Sequence, residues 1–179
     1  MRILVGKLKG KKLATCRTHS VRPAMALVRK SIFDTLQDFV INSNVLDLCA
    51  GSGILGIEAL SREAKSLTLI DSDKESVRLI RKNLNLCGVN ATLIHDKLPK
   101  ALGRLKNKQF DLIFLDPPYG NSSFIEETLE RICTDKLLTK NGLILIESEL
   151  KSDYKLPNEL STYKERLFGN TKVAILKVC

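Results

Sequence analysis

Acidic residues are missing from the first 33 positions; none occurs before Asp34. The chain also lacks a Cys-x-x-Cys pair, an apolar run of membrane-spanning length, an internal repeat and a low-complexity tract. Each absence removes a class of protein. Five cysteines (16, 49, 87, 133 and 179), odd in number and without paired spacing, argue against a disulfide framework and a zinc site, so no metal ligand is expected. The two histidines, His19 and His95, have no partner in sequence and are given no catalytic role. The opening "MRILVGKLKG" has no continuous apolar segment of the signal-peptide kind, and the expected location is the cytoplasm, with no membrane contact.

Where acids are missing, bases are present. Arg2, Lys7, Lys9, Lys11, Lys12, Arg17, Arg22, Arg29 and Lys30 all precede Asp34, whereas the rest of the chain carries 20 basic and 20 acidic residues. The whole net charge of +9 therefore sits in the first fifth of the chain. Positive charge concentrated in this way is the footprint of a polyanionic partner, with a solvated basic face as the alternative. A second group (Lys97, Lys100, Arg104, Lys106 and Lys108) lies between Asp96 and Asp111 and reads better as a solvated surface.

The pattern along the chain predicts an α/β fold. "RILVGKLKGKKLAT" alternates around Gly6 and Gly10 and suggests a short hairpin or extended arm over residues 1–22. Met25, Val28, Ile32, Leu36 and Phe39 then recur at helical spacing, with Pro23 just inside the start, which predicts a helix over 23–42. From residue 43 to 179 apolar strand-like runs alternate with helical patterns. That is the mark of a Rossmann-like, mostly parallel sheet with right-handed crossovers. The last two runs, joined at Gly169-Asn170, predict an antiparallel hairpin. Nothing marks a linker, so the expectation is a single domain over 1–179.

Two stretches carry chemistry. "VLDLCAGSGILG" places Gly51, Gly53 and Gly56 after a strand and at the opening of a helix, and Asp71 ends the next strand, twenty residues past Gly51. On spacing alone this is a dinucleotide-binding loop followed by the acid that grips a ribose. Asp47 changes the expected ligand. A carboxylate at the mouth of the loop would repel a pyrophosphate and favour a cofactor carrying positive charge and no phosphate. S-adenosylmethionine fits, and a nicotinamide-linked oxidoreductase is disfavoured. The expected cofactor contacts are Asp47, the loop residues Cys49, Ala50, Gly51, Ser52 and Gly53, then Asp71 with Ser72, and Asp96 with Lys97. Asp96 either accepts from the adenine amine or caps a following helix. Asp73 reads as a helix cap. Glu58, inside the first helix of the core, is either an acid behind the site or polar surface.

The other stretch is "FDLIFLDPPYG". Leu112–Leu115 reads as a strand buried on both faces; Asp116 ends it abruptly, and Pro117 and Pro118 stop the ladder because neither has an N–H. The result is a stiff rim that holds a carboxylate and the Tyr119 ring at the carboxyl end of a strand, where ligands bind in open parallel sheets.

Together "DLCAGSGILGIEALSR" and "DPPYG" resemble the class I S-adenosylmethionine-dependent methyltransferases. With Gly6, Gly10 and Leu13 in the basic arm, Arg22-Pro23, Val28-Arg29 and Phe33, the chain is similar to the bacterial family that methylates the N2 amine of a guanine in 16S ribosomal RNA. The resemblance implies a seven-stranded class I fold and a 16S RNA substrate, within a small ribosomal subunit or its assembly intermediate. It also implies a monomer that binds RNA through Arg2, Lys7, Lys9, Lys11, Lys12, Arg17, Arg22 and Arg29. In this reading Asp116 and the Pro117 carbonyl accept from the target amine, Pro118 stiffens the rim and Tyr119 stacks on an extruded base. N6 methylation of adenine in DNA or RNA uses the same motif and is the nearest alternative. A nucleic-acid-binding protein with a vestigial cofactor site is a third. The family's usual residues after Arg22-Pro23 are replaced here by Ala24, Met25, Ala26 and Leu27. Lys30 stands where the family has Glu, and Glu63 where a glycine would end the helix comfortably.

Overall fold

Seven strands pair into one sheet in the order β3-β2-β1-β4-β5-β7-β6. The strands are β1 (Asn44–Leu48), β2 (Ser66–Asp71), β3 (Thr92–His95), β4 (Phe110–Leu115), β5 (Leu138–Glu149), β6 (Leu160–Phe168) and β7 (Thr171–Val178). The computed structural model describes residues 1–15, 23–118 and 120–179. Cys16, Arg17, His19, Arg22 and Tyr119 lie outside the described residues. β1 through β5 pair in parallel, as the alternating pattern predicts, and β5, β7 and β6 pair antiparallel, the last two as the predicted closing hairpin. Gly169, at φ +58°, begins the turn of the closing hairpin.

Helices α1 (Pro23–Leu36), α2 (Ile54–Ser61), α3 (Lys74–Cys87) and α4 (Ser122–Thr134) cover the two faces. Val45, Leu112 and Phe114 pack on the face shared with α1, α2, α3 and the arm residues Ile3 and Leu13. Leu46, Leu48, Ile113 and Leu115 pack on the other face with α4 and Leu102. The central strands β1 and β4 are thus covered on both sides, which is why they read as near-continuous apolar runs. Phe33 of α1 meets Phe114 edge to face at 5.9 Å, and Arg62 lies 4.6 Å over the Phe33 ring. Among the described residues no helix is long and apolar enough to cross a membrane.

Two predicted helices come out shorter. The one expected to reach residue 42 ends at Leu36 and gives way to a 3-10 helix over Gln37–Val40, with Gln37 at φ +43°. The pattern after Lys97 forms only a 3-10 helix, Lys100–Leu105, because Pro99 and Gly103 interrupt it.

The arm is a hairpin-like loop closed by an antiparallel bridge between Arg2 and Lys12. It is fastened to α2. Glu58, 0 % exposed, accepts from the Leu4 amide (2.8 Å) and the Val5 amide (3.0 Å). Its carboxylate also faces Arg29 (3.7 Å) and Arg62 (3.3 Å). Ser61 accepts from the Leu8 amide through Oγ and from the Lys7 amide through its carbonyl. At Gly6 a Cβ would lie 1.8 Å from the Ser61 carbonyl oxygen, so only glycine permits this approach. Glu58 is therefore neither polar surface nor an acid behind the site; it anchors the arm.

Candidate active site

The chain leaves β1 toward β2 and β3 on one side and returns to β4 on the other, so the carboxyl ends of β1 and β4 diverge at a switch point. A cavity of about 790 Å³ opens there. Its walls come from the glycine loop (Cys49–Ser52), the end of β2 (Asp71–Asp73), Asp96 to Leu98, and Asp116 to Pro118. Residues from two motifs 65 positions apart, Gly51 and Asp116, therefore face one space.

The loop is built for close approach. Gly51 and Gly53 have φ of +57° and +73°, and Cys49 between strand and loop is also left-handed at +59°. At Gly56 a Cβ would press within 2.6 Å of Leu67, so this glycine lets α2 lie directly on β2. Asp71 accepts from the Gly51 amide (2.7 Å) and the Asp73 amide (2.8 Å), which fixes the loop to the end of β2 while leaving the carboxylate on the cavity wall. Asp73 caps α3 by accepting from the Ser76 amide.

Asp47 departs from expectation. It is 1 % exposed and sits beneath the loop, not at its mouth, where it accepts from the Gly56 amide at 3.0 Å. Burial, with a smaller contribution from Asp71 and against the pull of the Gly56 amide, pushes its carboxyl up to about 7. Its part is to hold the start of α2, and its charge does not face the cavity. Cys49 lines the cavity, but burial and the neighbouring Asp71, Asp116 and Asp47 push its thiol up to about 12, so it stays protonated and unreactive. Asp96 accepts from the Lys97 amide (2.8 Å) and lies 3.6 Å from Arg104. No α-helix follows it directly, which removes the capping alternative.

Asp116 is half-buried at the end of β4, beside buried Pro117 and exposed Pro118. Burial raises its carboxyl well above the ordinary range, and Glu147 and Asp47 raise it further. Tyr119 lies outside the described residues. Asn121 caps α4 by accepting from the Phe124 amide (3.2 Å), and Asn121 and Phe124 both line the cavity.

Sequence reasoning missed several groups here. Met1 and Thr15 bring the arm to the cavity edge, and Glu147 brings β5. Glu147 carried a signal, an acid interrupting the apolar run "LILIESE". Asn83 of α3 carried a fainter one, a buried polar residue on an apolar stripe. Its side chain exchanges two hydrogen bonds with Ala14 of the arm (2.8 and 3.1 Å) and donates to the Ser52 carbonyl of the loop (2.9 Å).

The basic residues divide. Arg29, expected on a phosphate-facing surface, is buried: it donates to the Arg2 carbonyl (2.7 Å) and pairs with Glu58. Lys11 donates to the Cys87 carbonyl (2.9 Å) at the end of α3. Arg2 donates to the Gly10 carbonyl (2.9 Å), and Lys7 meets Glu63 at 3.1 Å. Lys9 and Lys12 are exposed and make no ion pair among the described residues.

Comparison with known proteins agrees with this arrangement. The family model described as conserved hypothetical protein 95 matches residues 1–177. The chain is 34% identical over 166 residues to the ribosomal RNA small subunit methyltransferase D of Buchnera aphidicola, covering 92% of this chain and 86% of that protein. A solved Escherichia coli structure described as a candidate methyltransferase superposes with a TM-score of 0.86 at 31% identity, over 99% of this chain and 97% of that one. A more distant structure, of a candidate methyltransferase complexed with SAH, shares the fold at 15% identity, with a TM-score of 0.66 over 88% of this chain and 50% of that one.

Proposed function

The chain belongs to the conserved hypothetical protein 95 family and is a class I S-adenosylmethionine-dependent methyltransferase, and from that premise we propose that it methylates the N2 amine of a guanine in 16S ribosomal RNA. The substrate in this reading is a small-subunit particle or assembly intermediate, met in the cytoplasm by a monomer whose arm, helix and core act as one unit. The observation that carries it is the single cavity lined by Gly51, Asp71 and Asp116 together.

The residues present fit the cofactor. Left-handed Gly51, uncrowded by its neighbours, lets the loop backbone border the cavity, while Gly53 packs against Leu69, and Asp71 stands on the cavity wall. Cys49 to Ser52 would hold the amino-acid end, Asp71 with Ser72 the ribose, and Asp96 with Lys97 the adenine; Gly53, expected there too, lies behind the loop against Leu69. When bound, S-adenosylmethionine supplies a methyl group activated by its sulfonium.

The remaining work falls to the rim. An exocyclic amine is a poor nucleophile because its lone pair is delocalised into the ring. Asp116 and the Pro117 carbonyl accept from it, fix its direction and stabilise the positive charge that develops on nitrogen. Pro118 stiffens the rim and Tyr119 stacks on the base. Exposed bases of the arm hold the RNA backbone.

The experiment is to incubate the protein with radiolabelled donor and unmodified small-subunit RNA or particles, then map the labelled base. Label on a guanine N2, lost in Asp116→Ala while donor binding persists, supports the proposal. Label on an adenine N6 would replace it with the alternative amine, and no transfer to any RNA would leave a binding protein.

A further inference from the structure

β4 and β5 run in parallel with Leu115 opposite Ile146. The next residue on each strand is an acid, Asp116 and Glu147, and both line the cavity. We propose that these two carboxyls hold one proton between them, Glu147 acting through Asp116 to make it the group that receives the proton given up by the amine. This rests on the reading of the cavity as an amine methylation site.

Two like charges on neighbouring half-buried positions disfavour each other's ionisation, so such a pair loses its protons in two separated steps. The surroundings sharpen this. β1 contributes Asp47 below the loop, β2 contributes Asp71, and the loop contributes the protonated Cys49 thiol. From β7, Val173 stands opposite Glu147, while the next residue, Lys172, sends its Nζ to the Ser152 carbonyl (3.0 Å). α4 offers only uncharged Asn121 and Phe124. Met1, Asp96 and Lys97 line the same cavity, and Lys97 makes no ion pair to either acid among the described residues. Burial raises both carboxyls above their ordinary range, and Glu147 adds to the effect on Asp116.

The consequence is chemical. A lone carboxylate near its ordinary pKa is a weak base for a proton released near neutrality, and a raised one is better matched. As the N–CH3 bond forms, the S–CH3 bond breaks with its electron pair going to sulfur. The N–H bond then breaks with its pair staying on nitrogen, and the proton passes to Asp116. It leaves to water when the product departs, and the pair is restored.

The test follows carboxyl titration in the free protein by carbon-13 NMR, with wild type and Glu147→Gln, and the pH profile of methyl transfer in both. In wild type the pair titrates in two steps. In Glu147→Gln a single Asp116 step moves down by about one pH unit or more, and the acid limb of the rate profile moves with it. Donor affinity by calorimetry stays within about twofold, since Glu147 has no part in holding the donor. An acid limb that stays at its wild-type pH, or an Asp116 that titrates as a lone group in wild type, overturns the pairing. Should Glu147→Gln fail to fold, Glu147→Asp keeps the charge on a shorter stem, and two steps with a smaller separation are expected; an unchanged separation counts against the pair. The NMR titration needs no RNA, so a protein that methylates none would sink the proposed function while the pairing is still decided.

Discussion

Asp47 shows how far one side chain's environment can move its role. Its carboxyl rises from 3.8 to about 7 because it is buried under the loop. A raised acid binds its proton more tightly folded than unfolded. Its contribution to stability is therefore complete below about pH 4 and is lost as pH rises to about 7. Asp47→Asn removes that dependence. The variant is expected to gain on wild type by roughly 2–4 kcal/mol between pH 4 and pH 8, read from denaturant unfolding of the unliganded protein. A stability gap that is flat with pH would show Asp47 to be an ordinary ionised acid. Glu63 is the other instructive residue. The sequence marked it as standing where glycine ends a helix, and it does adopt φ +73°, so its backbone is strained for a residue with a Cβ.

At the scale of elements, the arm and α2 behave as one piece. Gly6→Ala would drive a Cβ into the Ser61 carbonyl and break the hydrogen bonds from Leu4 and Val5 to Glu58, leaving a buried carboxylate with fewer donors. The expected loss is about 2–4 kcal/mol, whereas Gly10→Ala, equally left-handed but with open space around it, should cost only about 1–2 kcal/mol. Equal losses in a chemical denaturation series would mean that the close approach at Ser61 contributes nothing. The same elements show what could be read in advance. Leu112–Leu115 and Asp116 announce a buried strand and the end that borders the cavity because the pattern is local, and Gly51 with Asp71 follows a fixed spacing. Glu58 and Asn83 could not be assigned, because their partners lie 53 and 69 positions away; the polar break that Asn83 makes in an apolar stripe does not say what it bonds. Glu147 needed the β4–β5 register, and Arg29 needed Glu58, before either could be placed.

For the whole molecule, the +9 charge resolves into structural and available bases. Arg29 and Lys11 are committed to the fold, and Lys9 and Lys12 are exposed. Reversing these two, Lys9→Glu with Lys12→Glu, should weaken RNA binding and reduce its log–log salt slope by about 0.7–0.9 for each phosphate no longer neutralised. Donor affinity and unfolding should not change. Wild-type RNA affinity across a salt series in the folded variant would make the basic excess a solvated surface. The fastening of the arm also has a consequence in time. The arm is made before the Glu58 and Ser61 on which it depends, and the strand it helps to cover, β1, pairs with β2 and β4 only once residues 66–71 and 112–115 have been made. A nascent arm therefore has nothing to dock on until Glu58 and Ser61 have been made, and it carries its positive charge uncovered for that interval. Its native contacts must come after the formation of a helix encoded well downstream, so the arm, made earlier than α2, is among the later segments to reach its final place.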